Sequence, residues 1–109
     1  MVIVLRLTAG DDRVDLEDPE DLRRFHVRVE GAEDPTRIAA AFESTGLGDF
    51  QSIERAMVRV AKVRSLAQGR VSARWEDDLD GMLAYAATKG WYDTGAGTIQ
   101  AHCEISSSG

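Results

Sequence analysis

Cysteine is all but missing from this chain of 109 residues: Cys103 is the only one, so no disulfide can close within it. Small secreted domains usually supplement a modest core with several disulfides, and a lone thiol points instead to a reducing compartment. Long apolar runs are missing too. No window reaches the length needed to cross a bilayer, and the opening Val2-Ile3-Val4-Leu5 is broken by Arg6, with no basic segment before it and no cleavage pattern after it. The expectation is a cytoplasmic protein without membrane span or secretory leader. Lysine is scarce: Lys62 and Lys89 are the only lysines among 13 basic residues. That bias reflects GC-rich coding and says nothing of chemistry.

Positive charge is outweighed, with 19 acidic residues against 13 basic and a formal net charge of −6. The arginines are dispersed among carboxylates instead of forming a stripe that could follow phosphates, which argues against nucleic acid and against anionic membrane as partners. What is present is globular: 43% hydrophobic and 29% charged residues, in a length that supports one core but not two. The reading is a single domain over residues 1–105, then a disordered tail over 106–109.

Val2-Ile3-Val4-Leu5-Arg6-Leu7-Thr8 is β-branched and places Ile3, Leu5 and Leu7 on one face, which predicts a strand. The acidic stretch from Ala9 to Asp21 reads as a long loop, with at most a turn of helix where Asp18 precedes Pro19. Phe25, Val27 and Val29 alternate with His26, Arg28 and Glu30 and predict a second strand. Asp34-Pro35 caps a helix over about residues 35–45, stopped at Gly46. Residues 54–61 fit both a helical stripe and an alternation; the β-branched Val58 and Val60 favour a strand running into a short helix through Leu66. Trp75, Leu79, Met82, Leu83 and Ala86 mark one face of a helix ending at Gly90. Ile99, Ala101, Cys103 and Ile105 then alternate as a final strand.

The predicted fold class is therefore α+β: a single four-stranded mixed sheet with helices on one face, in ββαβ(α)αβ order. Placing the first strand between the second and third would make it a split βαβ, ferredoxin-like arrangement.

Chemistry-bearing residues are few. On these strand phases His26 and His102 leave the sheet on the side away from the helices, near Glu30 and Glu104, which makes a divalent metal site of two imidazoles and two carboxylates conceivable. Their spacing matches no ligand motif, and the plainer reading is polar residues on a solvated or dimer-forming face. Trp75, Trp91 and Tyr92 flank the strongest helix and could wall a ligand pocket with His102 as proton donor or acceptor; core packing of Trp75, and a Trp91 closing over the helix end, is the plainer alternative. Cys103 faces inward among apolar neighbours, a poor setting for a nucleophile. Glu76, Asp77, Asp78 and Asp80 complement a helix start. Gly95-Ala96-Gly97 precedes a strand and so cannot be a phosphate loop, and no serine lies in a nucleophile elbow. No cofactor is implied.

From Leu66-Ala67-Gln68-Gly69-Arg70 through Trp75 and Met82-Leu83-Ala84-Tyr85-Ala86-Ala87-Thr88-Lys89-Gly90-Trp91 to Ala101-His102, the chain resembles small uncharacterised proteins of GC-rich bacteria such as actinobacteria. The resemblance implies a bacterial origin and no activity. The function expected is that of a non-enzymatic accessory or protein-interaction domain, its partner a second copy or another protein, with a homodimer formed through the edge of the sheet or its open face bearing Arg28, Glu30, Gln100, His102 and Glu104. The alternative is a small-molecule-binding protein or enzyme with its pocket near Trp75, Trp91, Tyr92 and His102.

Overall fold

The computed structural model describes residues 1–106. Along the chain run β1 (Val2–Thr8), β2 (Asp11–Glu17), β3 (His26–Glu30), α1 (Pro35–Ser44), β4 (Gly48–Ser52) and β5 (Arg55–Arg59). They are followed by α2 (Val60–Ala67), α3 (Trp75–Thr88), β6 (Tyr92–Asp93), β7 (Thr98–Ala101) and β8 (Cys103–Ser106). No helix among the described residues is long and apolar enough to cross a membrane.

The fold is α+β, but its strands form two four-stranded sheets, ordered β2-β1-β3-β8 and β4-β5-β7-β6, where the sequence pattern predicts one. In the first, β1, β3 and β8 run parallel, with β2 antiparallel at the edge. The second is antiparallel throughout. The inward phase expected for residues 99–105 holds, since Ile99, Ala101 and Cys103 are all buried. The run nevertheless changes partners at His102: β7 pairs with β5 and β6, whereas β8 pairs with β3. Alternation specifies which face of a strand is apolar and carries no information on the neighbour, so one pattern serves two sheets.

The ferredoxin-like arrangement is overturned for the same reason, because β3 and β5 lie in different sheets and β1 sits between β2 and β3. The loop expected over residues 9–21 contains β2, a strand whose Asp15 and Glu17 stay about half exposed while Leu16 enters the core opposite Ile3. Ser106, expected in the tail, is instead the last residue of β8; residues 107–109 lie outside the described residues.

Other elements follow their local chemistry. Asp34 caps α1 by accepting from the Thr36 amide at 3.4 Å, with Pro35 in the first turn. The ambiguous segment is β5 followed directly by α2, the strand-then-helix reading. One contiguous core joins Ile3, Leu5, Val27 and Val29 of the first sheet to Ala56, Val58 and Ile99 of the second, with Ile38, Phe42, Val63, Trp75 and Leu79 from the helices.

The opposite face of the first sheet has its own small apolar strip. Val2 and Val4, in register with His26 and Arg28, are buried outside that core. Long side chains span this face: Arg28 reaches Glu17 at 2.6 Å and Glu30 at 2.9 Å, and Arg6 reaches Glu30 at 3.3 Å. Their hydrocarbon stems can shield the valines while the charged heads stay wet.

Candidate functional site

The end of α3 builds the most distinctive surface. Lys89 is the last residue in helical conformation and Gly90 turns left-handed, with φ of +77°. The Trp91 amide then donates to the Ala86 carbonyl at 2.9 Å, the bond of a Schellman motif. This motif commonly brings an apolar residue just beyond the glycine against the last helical turns, and here Trp91 meets Tyr85 edge-on, with ring centroids 6.2 Å apart. The Gln100 amide donates to the Trp91 carbonyl at 2.7 Å, which ties this corner to β7.

A cleft of about 460 Å³ opens beside the aromatic pair, floored by Ala86, Ile99 and Ala101 and walled by Leu22, Phe25 and Met82. Its polar rim is Arg23, Glu54, Gln100 and His102. The Leu22 and Phe25 wall is held by the Met1 amino group, which donates to the carbonyls of Asp21 and, at 2.7 Å, Arg24. Three large apolar residues of the described chain are conspicuously exposed: Ile53 at 46%, Tyr85 at 59% and Trp91 at 44%. Tyr85 and Trp91 line this cleft, and Ile53 immediately precedes its rim residue Glu54.

The four residues expected to line a single pocket are divided. Trp91 and His102 share the cleft. Trp75 is 2% exposed, in the core, and its indole N–H donates to the Pro19 carbonyl at 2.6 Å. A depression that Trp75 does touch, beside Arg64 and Glu76, has no residue in common with the cleft. Tyr92 is half-buried in β6, paired with Ile99 and packed against the core. Tyr85, Met82, Phe25 and Leu22 were not among the expected lining residues; the exposed position of Tyr85 on an otherwise apolar helix end was the available signal.

His26 and His102 do come together. Their ring centroids are 6.3 Å apart, and Glu104 lies between them, 3.5 Å from Nε2 of His26 and 3.8 Å from Nε2 of His102. The hand-over between sheets creates this meeting: the His102 carbonyl accepts from the Val27 amide at 2.9 Å while the next amide, of Cys103, donates to Ile53 at 2.6 Å. Glu30, the other carboxylate expected there, is engaged by Arg6 and Arg28. Among the described residues no group of three or more His, Cys, Asp or Glu is placed to hold a metal ion. The trio places two imidazoles against one carboxylate, and of the three His102 lines the cleft.

Burial pushes the Cys103 thiol up to about 12, which disfavours the nucleophilic thiolate. Asp12 is held below the ordinary carboxylate range by its hydrogen bond from Arg37, a two-pronged contact at 2.6 and 2.9 Å that ties α1 to the β1–β2 hairpin. Comparison of the chain with protein-family models, curated proteins and solved structures finds no match.

Proposed function

We propose that this chain is a non-enzymatic protein-interaction domain whose contact surface is the cleft at the end of α3. One observation carries this reading: two large aromatic side chains, Tyr85 and Trp91, stay about half exposed beside an apolar floor, instead of folding onto the core as Trp75 does. Exposed aromatic residues grouped around a concavity with a polar rim resemble the anchor region of a protein interface. The sheet face first considered for dimerisation is a weaker candidate, because Arg28 and Glu30 there are already paired within the chain and exposed ion pairs contribute little. Self-association through the cleft is a form of the same proposal. A bacterial cytoplasm suits the single thiol and the arginine bias.

Photocrosslinking in the source cell tests the reading. A photoreactive amino acid in place of Trp91 should yield a discrete protein adduct, or an adduct between two copies, whereas one in place of exposed Gln68 should not. Equal, diffuse labelling from both positions would refute it. The small-molecule alternative makes the opposite forecast: a metabolite that raises the melting temperature and shifts only the Trp91 indole resonance would replace the interaction reading.

A further inference from the structure

The cleft does not end at Tyr85. A second depression of about 720 Å³ continues from it, sharing Leu22, Arg23, Met82 and Tyr85, and ends at Glu20, Asp21 and Asp78. The two together form a groove with an aromatic end and an acidic end. Its charged lining comprises Glu54, Glu20, Asp21 and Asp78 against the single guanidinium of Arg23, four carboxylates to one cation. Arg23 is itself engaged by Asp21 at 3.5 Å, while Asp78 and Glu54 are exposed and make no ion pair among the described residues. The aromatic end attracts cations as well: the Lys89 ammonium lies 5.6 Å from the centre of the Tyr85 ring.

We infer that the groove receives a basic segment of another protein, one apolar or aromatic side chain seated between Trp91 and Met82 and its flanking lysines or arginines directed to Asp78 and Glu54. This deepens the interaction reading above and rests on it. A second copy of the chain fits less well, because the net charge of −6 sets two copies against each other. A lone small molecule fits poorly too, since an open groove covers little of its surface, whereas a peptide distributes its contacts along both depressions.

Selection of a displayed random peptide library on the purified full chain, with the Trp91→Ala variant as counter-selection, tests the inference directly. Enriched peptides should combine an apolar or aromatic anchor with lysine or arginine, and binding should move the Trp91 indole resonance while leaving that of Trp75 in place. Trp91→Ala should weaken them about tenfold, as loss of an aromatic anchor does. The double variant Asp78→Lys with Glu54→Lys should weaken them about as much, and ~0.5 M salt should loosen the wild-type complex. Neutral or acidic peptides that bind equally well would overturn the charge assignment and leave the cleft reading standing. So would an absence of enriched peptides together with a Trp91 resonance that shifts with protein concentration, since the occupant would then be a second copy. No enrichment and no concentration dependence would overturn the cleft reading itself.

Discussion

The two tryptophans should respond in opposite ways to the same conservative change. Trp75 is 2% exposed and its indole nitrogen donates to Pro19 at 2.6 Å, so Trp75→Phe removes part of a ring from a packed site and also the donor of that carbonyl. A missing ring segment in a core costs about 1–2 kcal/mol, and an abandoned partner in a partly buried bond adds about 1–2 kcal/mol more. The sum, about 2–4 kcal/mol, corresponds to a fall in melting temperature of about 10–25 °C for a domain of this size. Trp91 is 44% exposed, its ring makes no hydrogen bond among the described residues, and its backbone contacts survive substitution. Trp91→Phe should therefore change stability by less than about 0.5 kcal/mol. Urea and thermal unfolding followed by far-ultraviolet circular dichroism measure both, independently of indole fluorescence. If Trp75→Phe melts within ~3 °C of the wild type, or Trp91→Phe is the more damaging, the division between a structural and a surface tryptophan is wrong.

Gly31 and Gly46 both have positive φ, +98° and +73°, but a Cβ at Gly31 would overlap the Leu7 carbonyl oxygen while one at Gly46 meets nothing within 4 Å. Gly46→Ala should cost about 1 kcal/mol and Gly31→Ala at least about 2 kcal/mol more, a gap that chemical denaturation resolves. Cys103 should react with a thiol reagent only as the chain unfolds, and because its folded value of about 12 lies above the ordinary 9.0, the stability it contributes is present below pH 9 and is lost as the pH rises toward 12. Asp12 carries the opposite sign: its lowered value gives stability that is present at neutral pH and lost as the pH falls through the carboxylate range, so Asp12→Asn should flatten the acid limb of a stability profile. Arg28→Ala should uncover Val4, leave Glu17 and Glu30 less opposed, cost about 1 kcal/mol and raise self-association in sedimentation, whereas Arg28→Lys should restore most of both.

Local signals in the sequence located the elements whose chemistry is local. Asp34-Pro35 marked the start of α1, the apolar stripe from Trp75 to Ala86 marked α3, and alternation marked β1, β3 and the phase of residues 99–105. Short or polar strands escaped notice. In β2, Asp11, Asp12, Asp15 and Glu17 conceal an alternation resting on Val14 and Leu16 alone, and the pairing energy comes from β1. β4 has Phe50 as its only buried residue, and β6 is two residues long. The division into two sheets was not legible because it depends on which strand accepts each edge, a non-local choice. Of the candidate site, the outward phase of His26 and His102 and the placing of Trp91 over a helix end were readable. The lining by Leu22, Phe25 and Tyr85 was not, because it requires knowing that the loop before β3 folds back against α3.

The change of sheet at His102 explains why the aromatic cleft and the histidine cluster are neighbours. A strand that stayed in one sheet from residue 98 to 106 would carry Ile99 and Cys103 under the same helices and leave no corner. Because β7 pairs with β5 and β6 while β8 pairs with β3, the chain passes from one sheet to the other at His102, and the cleft there is lined by the end of α3 and the loop before β3. The exposed aromatic residues are therefore held by rigid surroundings: a helix terminus fixed through the Ala86 carbonyl, a strand joined to Trp91 by Gln100, and a loop tied down by the Met1 amino group. A surface kept in place from three sides loses little freedom when a partner arrives, so more of its contact energy remains available for affinity. That preorganisation distinguishes Tyr85 and Trp91 from apolar residues that are exposed by chance on a mobile segment.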